Sequence, residues 1–437
     1  MQLASPEFLL FFVPAVLLIG ACVKSHHRPY VIGAAGFGYC VLQGFSVLIP
    51  VVLAVSGSRL VLCLMPDDPK AQRRRSGILL TVGLLWLLGM ILLSRFWHLS
   101  VPLPLAICVM QATEYLLLRY RGEESAPSFA EYFCYHFSLM RLWAGPVLTV
   151  SQYRNIVQNS SMSRSHFGKG MGAFVRGLAK LVLLAKPSAA IAELFMQKAD
   201  HHTLTVFGAL FGLFAMFFAL RYGLGGMSQM GRGMAQMLGY TYPEELRSAW
   251  LADSVNEFWQ QFWYSAAQWA KNVFRLQIPS LRRGVQLFVL GCVMGLLFGR
   301  GWNGIVWGLS LALLLWAERK VPEAWLKKWP SALRKSIVLL LVLAGLGILF
   351  AHTFGSAVDY SLALLGRNGL LPDSDIYYAL KTNWASLLGC AILLFPIRTM
   401  AKKKAEHHAV LQWIAAVCVP LGEWLLLVLC LGTLLSV

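Results

Sequence analysis

Runs of predominantly apolar residues recur along this chain at 8–23, 31–55, 77–95, 101–118, 203–220, 284–299, 302–317, 336–352, 384–397 and 410–435. Most approach the roughly 20 apolar residues that a helix needs to cross the hydrocarbon core of a bilayer. They are longer than buried strands and lack the alternation of a barrel, so helix is the conformation that satisfies their backbone hydrogen bonds in lipid. A water-soluble core offers no alternative, because 57% of the 437 residues are hydrophobic and only 13% are charged. The expected fold is all-α: a polytopic transmembrane protein of about 10–12 membrane helices.

The polar stretches near 151–170 and 240–282 are too small for a soluble domain, so one integral membrane domain over 1–437 is expected. The first apolar run has no basic segment before it and no clear cleavage site after it, and it reads as a retained span. Shorter apolar pieces at 134–150 and 172–193 suggest re-entrant or interfacial helices. Gly223-Leu224-Gly225-Gly226 and Pro146 at membrane depth suggest broken helices. Irregular backbone survives there only when buried in protein or facing a cavity, so a central tunnel is expected.

The net charge is +18, from 38 Lys and Arg against 20 Asp and Glu. In a soluble chain that excess would point to nucleic acid. Here basic clusters at Lys70 to Arg75, Arg282-Arg283, Arg319 to Lys335 and Arg398 to Lys404 lie at or near span ends. They follow the positive-inside pattern, and no nucleic-acid partner is expected. The nine cysteines show no metal or redox spacing, and no metal site is expected. No internal repeat is visible, which argues against a secondary transporter.

Ionisable residues inside apolar runs are costly and mark either buried pairs or function. Glu114, Arg141 and Glu423 are such residues. Among ten histidines, His136 lies just before Ala144-Gly145-Pro146, and His352 ends a span beside Thr353. His26, His27, His407 and His408 read as solvated, and His201-His202 as an interfacial end. The tryptophans at 250, 259, 263, 269, 302 and 307 form either an interfacial belt or an aromatic funnel.

Several blocks fall in a familiar order: Leu103-Pro104-Leu105 with Gln111-Ala112 and Tyr115, then Ala144-Gly145-Pro146, then Gly177-Leu178-Ala179-Lys180. Gly226, Ser228, Met230, Gly233 and Leu238-Gly239-Tyr240 follow, then Glu257-Phe258-Trp259, Ser265 and Trp269. Last come Gly301-Trp302-Asn303-Gly304 and Trp307-Gly308-Leu309. Together, over about residues 30–365, these resemble the membrane-bound O-acyltransferase family. The likeness is closest to the bacterial branch with alginate O-acetylation and teichoic-acid D-alanylation proteins, leaving 366–437 as additional C-terminal helices.

The resemblance implies a multi-pass protein of the bacterial cytoplasmic membrane that moves an acyl group, acetyl or D-alanyl, onto a hydroxyl of an envelope glycan or lipid. It implies no resident cofactor but an acyl donor, either acyl-CoA or an acyl carrier protein thioester. The implied partners are membrane lipid, the acyl carrier protein and a periplasmic subunit. The candidate tunnel or substrate residues are Glu114, His136, Arg141, Glu257, Trp259, Asn303, Trp307 and Ser310. At the positions where the family has histidine, this chain has Leu311, Phe298 and Trp263. Two family aspartates read Gly223 and Gln229, two arginines read Gln260-Gln261, and an arginine-aspartate pair reads Lys271-Asn272. Leucine cannot accept a proton, and loss of a positioned general base removes about two to four decades of rate. The resemblance therefore implies an O-acyltransferase with altered catalytic residues, or a non-catalytic relative that binds an acyl carrier, lipid or partner subunit. A transporter or flippase using the same tunnel is the third reading.

Overall fold

A computed structural model describes residues 5–68, 71–97, 101–274, 283–299, 301–321, 329–372, 374–394 and 409–435. Among them there is no strand. The helices in chain order are α1 (Val13–Cys22), α2 (Arg28–Leu42), α3 (Phe45–Leu64), α4 (Arg73–Trp97), α5 (Leu103–Arg121), α6 (Phe129–His136), α7 (Val150–Gln158), α8 (Arg164–Ala179) and α9 (Lys186–Asp200). They continue as α10 (Val206–Met237), α11 (Val255–Phe262), α12 (Tyr264–Phe274), α13 (Arg283–Phe298), α14 (Asn303–Glu318), α15 (Ser331–Phe350), α16 (Phe354–Leu364), α17 (Ser374–Leu394) and α18 (Ala409–Leu435). His98, Arg282, His407, His408 and the basic cluster at 398–404 lie outside the described residues or their described side chains.

Five described helices are long and apolar enough to cross a membrane: α3, most of α4, α10, α15 and the 417–435 part of α18. Shorter apolar helices lie at Phe8–Cys22, Gly284–Phe298 and Asn303–Glu318. The chain is an all-α, multi-pass membrane protein.

Three local expectations change. The run at 31–55 is two helices, because Gly44 between α2 and α3 has a φ of 104° that a side chain would resist. The glycines at 223–226 do not break α10, which runs unbroken from Val206 to Met237. They bring it against α8 instead. A Cβ on Gly177 would lie 2.7 Å from the Gly226 carbonyl oxygen, so the two backbones touch where small residues allow it. The piece at 172–193 is likewise not a short helix of its own. It lies within one helical run through α8, a π-helical stretch at Lys180–Ala185, and α9.

The piece at 134–150 is irregular, as expected. Helix α6 ends at His136, α7 begins at Val150, and residues 137–148 between them are all buried. Arg141 serves this backbone, with Nε donating to the Pro146 carbonyl at 3.2 Å and Nη1 to the Tyr135 carbonyl at 3.0 Å. Its guanidinium also lies over the rings of Tyr135 and Tyr153. Carbonyls left without helical partners thus find a charged donor inside the protein.

Helices α13 and α14 are pressed together by facing glycines. A Cβ on Gly291 would sit 2.3 Å from the Gly308 carbonyl oxygen. This contact fixes the face of α14 that carries Trp307 and Leu311. At the C-terminal end, Glu423 of α18 pairs with Arg176 of α8 and occupies the space a Gly172 side chain would fill.

Candidate functional site

Helices α10 to α15, with Val101 and Leu103 at the start of α5, line a cavity of about 360 Å³, whose walls include Trp259, Trp263, Phe298, Trp307 and Leu311. Leu311, Phe298 and Trp263, far apart in sequence, therefore line one space. The rings of Trp259 and Trp307 meet edge to face with centroids 5.4 Å apart, and those of Trp263 and Phe298 lie 5.1 Å apart. Among the described lining residues there is no carboxylate and no imidazole; the charged ones are Lys271 and Arg319. Arg319 is twelve residues beyond Trp307, about 18 Å along a helix axis, which places the two at opposite ends of the cavity.

Local chemistry explains how the walls are held. Ser254 caps α11 by accepting from the Glu257 amide at 3.0 Å, while Glu257 accepts from the Asp253 amide and the Gln261 side chain, each at 2.8 Å. This reciprocal arrangement satisfies amides that the first helical turn leaves open. Trp263 takes the non-helical position between α11 and α12. Its neighbours are pinned by Glu245, whose side chain accepts from the Ser265 amide and whose carbonyl accepts from the Tyr264 amide, both at 3.0 Å. Ser265 in turn accepts from the Val147 amide at 3.0 Å, tying the irregular buried segment to the cavity wall.

The candidate residues divide into three groups. Trp259 and Trp307 line the cavity. Glu257, Asn303 and Ser310 are not among its lining residues and serve the helices instead. Asn303 donates to the Ala351 carbonyl at 3.0 Å, joining α14 to the end of α15. Ser310 donates to the Trp307 carbonyl in its own helix at 2.7 Å. Glu114, His136 and Arg141 lie in a separate buried region around α5 and α6. Asn272 donates to Glu114 Oε1 at 3.2 Å, and no hydrogen bond reaches Oε2. His136 Nδ1 stands 2.9 Å from the Tyr132 carbonyl, which requires a proton on Nδ1, while Nε2 is buried without a hydrogen-bond partner. Helix α12 links the regions, with Lys271 at the cavity and Asn272 at Glu114.

Sequence reasoning missed part of the site. Leu220, Leu224 and Phe350 line the main cavity and also a second one of about 300 Å³, whose wall includes Glu193 of α9. In the sequence Glu193 is one of several charged residues of α9, beside Lys186, Lys198 and Asp200, and nothing there sets it apart.

No protein-family profile matches the chain. The probable alginate O-acetylase AlgI of Pseudomonas fluorescens is 24% identical over 62% of this chain and 58% of its own length. The protein of the same name from Azotobacter vinelandii is 26% identical over 57% of this chain and 50% of its own length. The peptidoglycan O-acetyltransferase of Helicobacter pylori is 22% identical over 62% and 58%. The chain thus spans about half the length of the curated relatives it matches. With its membrane helices, it is similar over about 60% of its length to bacterial proteins named as alginate O-acetylase and peptidoglycan O-acetyltransferase.

Proposed function

We propose that this protein acts in the bacterial cytoplasmic membrane as an envelope O-acyltransferase, moving an acyl group from a thioester donor to a hydroxyl of an envelope glycan or lipid. The names of the relatives favour acetyl over D-alanyl as the group carried. The observation that carries the reading is the cavity beside Leu311. Its aromatic and aliphatic walls would bury an acyl group away from water. Lys271 and Arg319 would attract the anionic part of an acyl-CoA or acyl carrier thioester. Holding donor and acceptor side by side supplies part of the rate through proximity. A carrier protein or periplasmic subunit delivering donor or acceptor fits the same scheme.

The test is transfer of label from an acetyl thioester to a polysaccharide acceptor by the purified protein in lipid nanodiscs. Transfer above a heat-killed control supports the reading, and none in the presence of its genomic partners counts against it.

One observation favours a second reading, a non-catalytic protein that binds an acyl carrier, lipid or partner subunit. No described residue of the main cavity wall accepts a proton near neutral pH. Under that reading Leu311→His leaves biological output unchanged. Appearance of transfer in that variant alone would identify an enzyme that lost its base.

A further inference from the structure

The second cavity shares Leu220, Leu224 and Phe350 with the first, and Glu193 is the one ionisable residue among its described lining residues. Behind Glu193 stands an ordered set of polar groups. Glu193 Oε1 lies 3.1 Å from His352 Nε2, and His352 Nδ1 lies 2.7 Å from Asp200 Oδ2. Ser356 donates to the other oxygen of Asp200, and Thr353 Oγ1 is 2.8 Å from Ser356 Oγ. Glu193 and Asp200 are both on α9, seven residues apart and hence on one face. His352 comes from the connection between α15 and α16.

These distances constrain where protons sit. Nδ1 facing a carboxylate must carry a hydrogen, which fixes the tautomer. Neutral Nε2 is then an acceptor, and so is ionised Glu193. Nε2 makes no hydrogen bond in this arrangement, so its 3.1 Å approach to Glu193 leaves a place where one added proton can be held between them. The Glu193–His352 pair can therefore take up one proton beside a cavity, with Asp200 offsetting the added positive charge. Thr353 and Ser356 form the capping box of α16, in which Glu193 and His352 take no part.

We propose that Glu193 is the proton acceptor for the hydroxyl substrate, with His352 and Asp200 as its positioning residues. This rests on the acyl-transfer reading. The acceptor hydroxyl enters the second cavity and its oxygen attacks the acyl carbon of a thioester extending from the main cavity. As the new C–O bond forms, the hydroxyl proton passes to Glu193. The C–S bond breaks, and the leaving sulfur takes a proton back from the pair. The products are the ester and the free thiol.

The experiment measures label transfer from an acetyl thioester by wild type, Glu193→Gln, Glu193→Asp and His352→Ala in nanodiscs. Each variant is first checked for monodispersity and a wild-type melting temperature. Glu193→Gln should lower kcat at least about 100-fold with little change in acceptor KM. Glu193→Asp should recover part of the rate. His352→Ala should be slow and partly restored by added imidazole, a response that a merely structural role would not give. Should His352→Ala fail to fold, the Glu193 pair of variants decides alone. An active wild type with an equally active Glu193→Gln overturns this proposal and leaves acyl transfer standing. An inert wild type overturns acyl transfer, and the proposal with it.

Discussion

Trp259 of α11 and Trp307 of α14 meet edge to face at an interplanar angle of 75°. The contact closes one wall of the cavity and joins the segment that carries Trp263 to the helix that carries Leu311. Aromatic pairs in this geometry are worth about 0.5–1.5 kcal/mol beyond the area they bury.

Replacing Trp307 with alanine should therefore cost both fold and site. Truncation of a buried tryptophan typically costs about 3–5 kcal/mol. The expected outcome is a clearly lowered melting temperature in detergent and at least tenfold weaker binding of an acyl thioester, with Trp307→Phe retaining most of both. Unchanged donor binding in Trp307→Ala would remove the cavity from the binding site.

Filling the cavity asks the same question from the other side. Leu311→Trp should abolish donor binding while costing only about 1–3 kcal/mol of stability, the usual penalty of overpacking. Isothermal titration with the thioester, paired with a thermal melt, separates occlusion from unfolding.

The last span should depend in part on an ion pair with α8. Arg176 and Glu423 meet with side chains only 24% and 19% exposed, so replacing Glu423 takes this carboxylate from Arg176. Glu423→Leu is expected to weaken the docking of α18 on α8, because a largely desolvated pair loses one of its members. Protease cleavage in the connection before α18, compared with wild type and with the Arg176→Leu/Glu423→Leu double variant, reads this out. The double variant should recover much of the loss.

Glu245 predicts a pH dependence. Burial pushes its carboxyl above the ordinary range, against hydrogen bonding from Ser265, which pulls the other way. The folded state thus binds this proton more tightly than the unfolded one. Its contribution is fully present below the unfolded value of about 4.3 and is lost as pH rises through the raised folded value. Glu245→Gln should flatten that part of the fall in melting temperature between acidic and neutral buffer. An unaltered slope would show that Glu245 does not contribute to it.

Much of the fold was legible in the residues because bilayer thickness acts on sequence directly. An apolar run of sufficient length has few other destinations, and the buried irregular segment around Pro146 followed from the same accounting of backbone groups. The glycines of α10 misled, because a glycine that bends a helix and one that admits a neighbouring helix look identical until the neighbour is known. Glu257, Asn303 and Ser310 stand outside the main cavity's lining for a related reason. Block resemblance marks positions near a site, but only the hydrogen-bond partner tells a capping carboxylate from one that faces a substrate.

What the sequence by itself determined was an all-helical membrane protein with an aromatic-rich centre and leucine, phenylalanine and tryptophan at positions 311, 298 and 263. Hydrophobicity and residue identity require no partner to be read. The tertiary structure alone decided that those three share one cavity, that Glu114, His136 and Arg141 lie apart from it, and that Glu193, His352 and Asp200 stand together at its extension. Such proximity arises from how helices distant in sequence pack, and side-chain spacing along the chain does not encode it.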